Sequence, residues 1–144
     1  MTFRLWILRL VLLLIGIFFI FGIYAAMHYW PWGWVWEPKH EVYEWVLLGI
    51  YATLGVFLIW AVKNPLEHLS LIWFTFWSSI VHGGIKLFEA LIDKNEYGHL
   101  LGDIPAFFII ALILWYLTPR QRELDALPET SEDNSEELSE REAY

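Results

Sequence analysis

Cysteine is absent from the 144 residues. That excludes disulfide frameworks, thiolate metal sites, iron–sulfur clusters, covalent c-type haem and thiol catalysis. Charge is scarce at 18%, below the roughly 25% of soluble domains. Basic residues number nine against seventeen acids. No run of Lys and Arg could neutralise a stretch of phosphates, so nucleic acid is not an expected partner. No phosphate-binding glycine loop, nucleophile elbow or HExxH motif occurs, and no catalytic residue can be assigned.

What is present is apolar. The chain is 58% hydrophobic and 19% aromatic, with mean hydropathy +0.45. Residues 120–144 hold nine acids and three bases, and residues 1–119 eight acids and six bases. The formal charge of −8 therefore divides into −6 for the tail and −2 for the body. The tail lacks a sustained apolar period and is rich in Glu, Asp and Ser. It reads as a disordered acidic segment, with partner binding as a further role for it.

Four apolar runs fill the body: Leu10–Met27, Trp45–Val62, Leu69–Ile85 and Ile104–Thr118. A helix of about 20 residues crosses a ~30 Å hydrocarbon core, so each run, with its flanks, predicts a membrane span. The expected fold is an all-α, four-helix transmembrane bundle over 1–119, with spans at about 5–29, 41–62, 66–92 and 99–118. The first run is long for a cleaved leader, and Ile23-Tyr24-Ala25 is a poor cleavage site. Arg4, Arg9, Lys63, Arg120 and Arg122 fall on one side of the four spans, and Lys39 and Lys94 on the other. The excess of Lys and Arg puts both termini in the cytoplasm. The expected setting is a bacterial inner membrane.

Between the first two spans, Trp30, Trp32, Trp34 and Trp36 alternate with other residues. Indoles suit the headgroup layer, so an interfacial anchor is expected, with an aromatic ligand cage as the alternative. Pro31 and Pro38 break any single helix there. Asn64, Pro65 and Glu67 have the spacing of a capping box opening the third span. Gly16, Gly22, Gly49, Gly55, Gly83 and Gly84 offer close helix approach.

The third span is the informative one. At about 100° per residue, Thr75, Ser79, His82, Lys86, Glu89 and Asp93 fall within a wedge of about 80°. Trp73, Phe74, Trp77, Ile80, Val81 and Phe88 lie opposite. A charged group near a span's centre costs roughly 2.5–3.5 kcal/mol on insertion scales, so the wedge must face other helices or a wet cavity. The partners expected at the same depth are His99 and Asp103 on the fourth span, and His40, Glu41, Glu44 and Tyr51 on the second. His28 ends the first span on that side. Asp103 either caps a helix starting at Ile104, or lies inside a helix that begins near Gly98 and bends at Pro105.

Glu44, Tyr51, Ser79, His82, Lys86, Glu89, His99 and Asp103 thus form an expected buried polar cluster in the outer half. Four roles remain open to it. It can be an ion-pair network that only fixes packing, with Lys86 to Glu89 or Asp103 and His82 to Glu44, Ser79 or Tyr51. It can bind a ligand, or hold a metal through His82, His99 and Asp103. It can ligate a b-type haem through His82 with His99 or His40. It can carry out acid–base or proton-coupled chemistry on a lipid-like or quinone-like substrate. Besides the bilayer, a membrane-protein partner or a second copy of the chain is a candidate partner.

Two segments, Trp77-Ser78-Ser79-Ile80-Val81-His82-Gly83-Gly84 and Gly98-His99-Leu100-Leu101-Gly102-Asp103-Ile104-Pro105-Ala106, resemble a family of small bacterial four-span membrane proteins with no assigned function. The resemblance covers roughly Val46–Leu117. In span number and size the chain is also similar to DoxX-like four-helix membrane proteins, which implies a bundle and points towards redox or quinone-linked work. Neither resemblance transfers a catalytic residue.

Overall fold

The computed structural model describes residues 2–35 and 41–119. The tail at 120–144, and Trp36, Pro38, Lys39 and His40 in the first loop, lie outside the described residues. The described residues form five α-helices: α1 (Thr2–Ile17), α2 (Ile23–Tyr29), α3 (Glu41–Ala61), α4 (Leu69–Ile92) and α5 (Asp103–Leu117). A π-helical turn at Phe18–Gly22 fuses α1 and α2 into one rod, and short 3-10 turns occupy Pro31–Gly33, Pro65–His68 and Lys94–Leu100. Four stretches are long and apolar enough to cross a membrane: Phe3–Tyr29, Val42–Ala61, Pro65–Ile92 and Glu96–Leu117. The chain is accordingly a multi-pass membrane protein.

The first rod supplies the core stripe. Leu8, Leu12, Ile15, Phe19 and Ile23 recur every three or four residues, and all are buried, as one helical face requires. They meet Leu58 and Ala61 of α3, Ile72 of α4, and Phe107, Ile110, Leu114 and Leu117 of α5. α4 packs closely along α5, and α1 lies between α5 and α3. α3 and α4 have few close backbone approaches, which leaves a seam between them.

α3 joins the bundle through a small-residue crossing. A Cβ on Gly55 would lie 2.6 Å from the Gly16 carbonyl oxygen, and one on Gly16 would lie 2.8 Å from that of Gly55. Only hydrogen fits both positions, and the two backbones touch there. Gly49 and Gly84 have open space around them, so they take no part in helix contacts.

The polar wedge of α4 faces inward. Thr75, Ser79 and Lys86 are buried, while Phe74, Trp77, Val81, Ile85 and Phe88 are exposed on the opposite side, where lipid satisfies apolar groups. At the end of the bundle that carries the termini, Arg4 donates through Nη2 to the Tyr116 carbonyl at 2.7 Å and the Thr118 carbonyl at 3.4 Å. These are carbonyls that the last turn of α5 cannot satisfy by itself.

Two local expectations are corrected. Asn64 and Glu67 form no reciprocal capping box. Asn64 Nδ2 donates to Glu67 Oε1 at 3.0 Å, and Pro65 opens a 3-10 turn rather than α4 itself. Pro at that position fixes φ without forcing a full α-turn. α5 starts at Asp103, with Gly102 before it. Asp103 neither caps a helix starting at Ile104 nor lies inside an α-helix begun near Gly98; it is the first residue of α5, and it is buried as both readings required.

Candidate functional site

The 3-10 turn Lys94–Leu100 folds back over the junction of α4 and α5. Its descent is locked by glycine: a Cβ on Gly98 would strike the Trp32 carbonyl, and one on Gly102 the Gly33 carbonyl. The two loops at this end therefore interlock backbone to backbone. This holds Glu96 and His99 against the top of α4.

Four ionisable groups meet there. His99 is 1% exposed, Asp103 3%, Lys86 4% and Glu96 7%. His99 Nδ1 lies 2.9 Å from Asp103 Oδ1, and His99 Nε2 lies 2.8 Å from Glu96 Oε2. Lys86 Nζ lies 3.7 Å from Asp103 Oδ2 and 3.4 Å from His99 Nε2. The contacts at Nε2 compete. As an acceptor, Nε2 takes a hydrogen from Lys86; as a donor, it gives one to Glu96. The carboxylate is nearer, but it lies off the N–H direction.

Below this layer, the Tyr51 hydroxyl and His82 Nδ1 share a hydrogen bond of 2.8 Å across the seam between α3 and α4. Phe107 backs the pair, with its ring centroid 4.2 Å from that of His82 and 5.5 Å from that of Tyr51. Phe19 closes the other side of Tyr51 at 5.1 Å. The π turn around Phe19 inserts one extra residue into the rod just where this contact is made.

A cavity of about 40 Å³ opens against these groups, lined on its polar side by Glu44, Tyr51, His82, Lys86 and Asp103. At ~10–15 Å³ per water it has room for about three waters. Glu96 and His99 do not line it. They stand behind Lys86 and Asp103 and hold them.

The cluster expected from the sequence is therefore partly assembled. Lys86 takes Asp103 as its ionic partner, and His82 takes Tyr51. Glu44 lines the cavity with a buried Oε1 that has no hydrogen-bond partner among the described residues. Glu89 is one turn from Lys86 on the same face of α4, and its Oε2 is likewise buried without a hydrogen bond. Ser79 does not join: its hydroxyl donates to the Thr75 carbonyl at 2.7 Å. Thr75 donates to the Leu71 carbonyl at 2.9 Å, so the polar stripe below His82 is satisfied within its own helix. His28 is exposed and stacks on Tyr24 outside the cluster. His40 and the Glu41 side chain lie outside the described residues.

Glu96 was not among the residues singled out from sequence. Its signal was present as Glu96-x-x-His99-x-x-x-Asp103, but the first pair is brought together by a 3-10 turn rather than an α-helix. Among the described residues no three of His, Asp and Glu are grouped to hold a metal ion. His82 is engaged by Tyr51 and Phe107, and Lys86 Nζ lies 3.4 Å from His99 Nε2, where its positive charge opposes a bound cation. The 40 Å³ space is also far below what a haem macrocycle needs.

Residues 3–131 match a family described as a family of unknown function, DUF6632. The chain belongs to that family. No curated protein and no solved structure matches it.

Proposed function

We propose that this member of the family is a ligand-binding membrane protein, whose site is the cavity bounded by Glu44, Tyr51, His82, Lys86 and Asp103. The observation that carries the reading is the division of labour in the cluster. One set of polar groups faces the cavity, and a second set, Glu96 and His99, holds the first in place from behind. Binding sites need that arrangement, because a lining group is positioned only if its own partners are fixed. Of the cavity-lining groups, Glu44 Oε1 and Asp103 Oδ1 are buried with no hydrogen-bond partner among the described residues, so the network does not close on itself. The small volume favours a compact polar ligand, or the polar head of a larger one, with bound water completing the contacts.

The Lys and Arg distribution supports an orientation with both termini in the cytoplasm, so the site lies in the outer half of a cell membrane. Residues 1–119 then form the membrane domain, and 120–144 an acidic cytoplasmic extension. A metal at His82, His99 and Asp103, and a redox or quinone-linked enzyme of the DoxX-like kind, are the weaker readings. The first must displace Lys86, and the second must find room for a ring.

The test is native mass spectrometry of the full chain in a non-ionic detergent, with elemental analysis and an optical spectrum on the same sample. We expect a stoichiometric adduct on the wild type that is lost in Tyr51→Phe and His82→Ala. A wild type with no adduct, whose two variants unfold at the same temperature as each other and well below it, would leave a packing role only.

A further inference from the structure

A second cleft lies beside the cluster cavity, between α2, the turn that follows it and the start of α3. It measures about 380 Å³ and is lined by Tyr24, Met27, His28, Glu44, Trp45 and Leu48, with Pro31 and Val35 at its rim. It shares only Met27 and Glu44 with the cluster cavity. Its volume falls within the ~300–1,000 Å³ of small-molecule sites, where the cluster cavity does not.

The chemistry of its walls is one-sided. Tyr24 stacks on Trp45 with ring centroids 6.3 Å apart and 29° between planes, and on His28 at 6.3 Å and 11°. Three π-systems thus share one orientation. Among the described lining residues Glu44 is the only acid, and none is Lys or Arg. Glu44 brings a carboxylate oxygen that is buried and accepts no hydrogen bond. An acceptor kept dry and unsatisfied costs free energy unless something fills it. Aromatic faces attract a cation through their quadrupole, and Tyr24 and Trp45 stay exposed at the cleft. An anion would meet Glu44 and the negative faces of the rings. A neutral apolar guest would leave Glu44 unpaired.

We propose that the cleft between α2 and α3 binds an organic ammonium group, with Glu44 as the counter-charge and the Tyr24 and Trp45 rings as walls. Glu44 borders both cavities, so its carboxylate serves one of them at a time; Tyr24 and Trp45 line this cleft alone, and their variants separate the two readings. The ammonium can belong to a lipid headgroup or to a free amine, because the cleft lies beside the Trp-rich loop, where lipid headgroups and dissolved amines both have access.

The experiment uses the full chain in maltoside detergent, which carries no amine. Choline is titrated by isothermal calorimetry beside its uncharged carbon analogue, 3,3-dimethylbutan-1-ol. We expect choline to bind at least tenfold more tightly than the analogue, with Glu44→Gln and Trp45→Leu each weakening it at least tenfold. Trp60→Leu, exposed at the far end of α3, should leave it unchanged. In a second arm, native mass spectrometry compares retention of phosphatidylcholine, phosphatidylethanolamine and phosphatidylglycerol. Choline binding alone assigns a dissolved amine. Selective retention of the two amine lipids, lost in Glu44→Gln, assigns a headgroup. Equal binding of choline and its analogue, or neither choline binding nor amine-lipid selectivity, overturns the proposal. If Glu44→Gln does not fold, Tyr24→Leu with Trp45→Leu replaces it under the same criteria.

Discussion

At the scale of the residue, the decisive pair is Lys86 and Asp103. Both are buried, 3.7 Å apart, and His99 adds a second partner to Asp103. Removing one member of a buried pair strands the other, which costs about 3–5 kcal/mol, whereas replacing both by apolar groups is often neutral or stabilising. Asp103→Ala should therefore lower the thermal midpoint sharply. Lys86→Met combined with Asp103→Leu should recover most of the loss in the same detergent. Circular dichroism melts of the wild type and both variants measure this, and an Asp103→Ala protein that melts like wild type would show that the pair is not buried. The 100° rule was enough to place Lys86 and His82 on one inward edge of α4, because that segment is a regular α-helix. It could not choose Tyr51 over Glu44 or Ser79 as the partner of His82, since that choice depends on how α3 leans across the seam. It also passed over Glu96, whose approach to His99 is made by a 3-10 turn with a different angular step.

At the scale of the element, the helices of this bundle differ in how they are held. α5 buries the largest share of its residues, and α4 is buried along one edge. α3 exposes most of its surface and leans on one crossing at Gly16 and Gly55. The apolar runs made all four spans legible in the sequence, because spanning a bilayer leaves few alternatives to a helix. They did not rank the glycines, because a small residue allows close approach but does not compel it. The contrast is testable. Gly55→Val puts three carbons where the Gly16 carbonyl already stands, so it should push α3 away and lower the melting midpoint. Gly84→Ala meets nothing within 4 Å and relieves the helix cost of glycine, worth roughly 0.5–1 kcal/mol. Its midpoint should be unchanged or slightly raised. Equal losses for the two would mean that the crossing does not fasten α3.

At the scale of the whole molecule, the two ends of the bundle are chemically unlike. The end bearing the termini is closed by apolar contacts and by Arg4 on the last carbonyls of α5. The opposite end carries both cavities, the four-membered ionic layer and the interlocked loops. Since the hydroxyls of Thr75 and Ser79 are spent on their own helix, the polar groups reach only partway through, and access is from one face. Which face that is decides what the site can meet. The lack of cysteine makes the question direct, because any introduced thiol is unique. Asn64 and Asp93 are exposed at opposite ends. With both termini in the cytoplasm, a membrane-impermeant maleimide applied to intact cells should label Asp93→Cys, and should label Asn64→Cys only after the membrane is opened. Labelling of Asn64→Cys alone would turn the molecule over. The ionic layer and the aromatic cleft would then draw their ligands from the cytoplasm, with the geometry of either site unchanged.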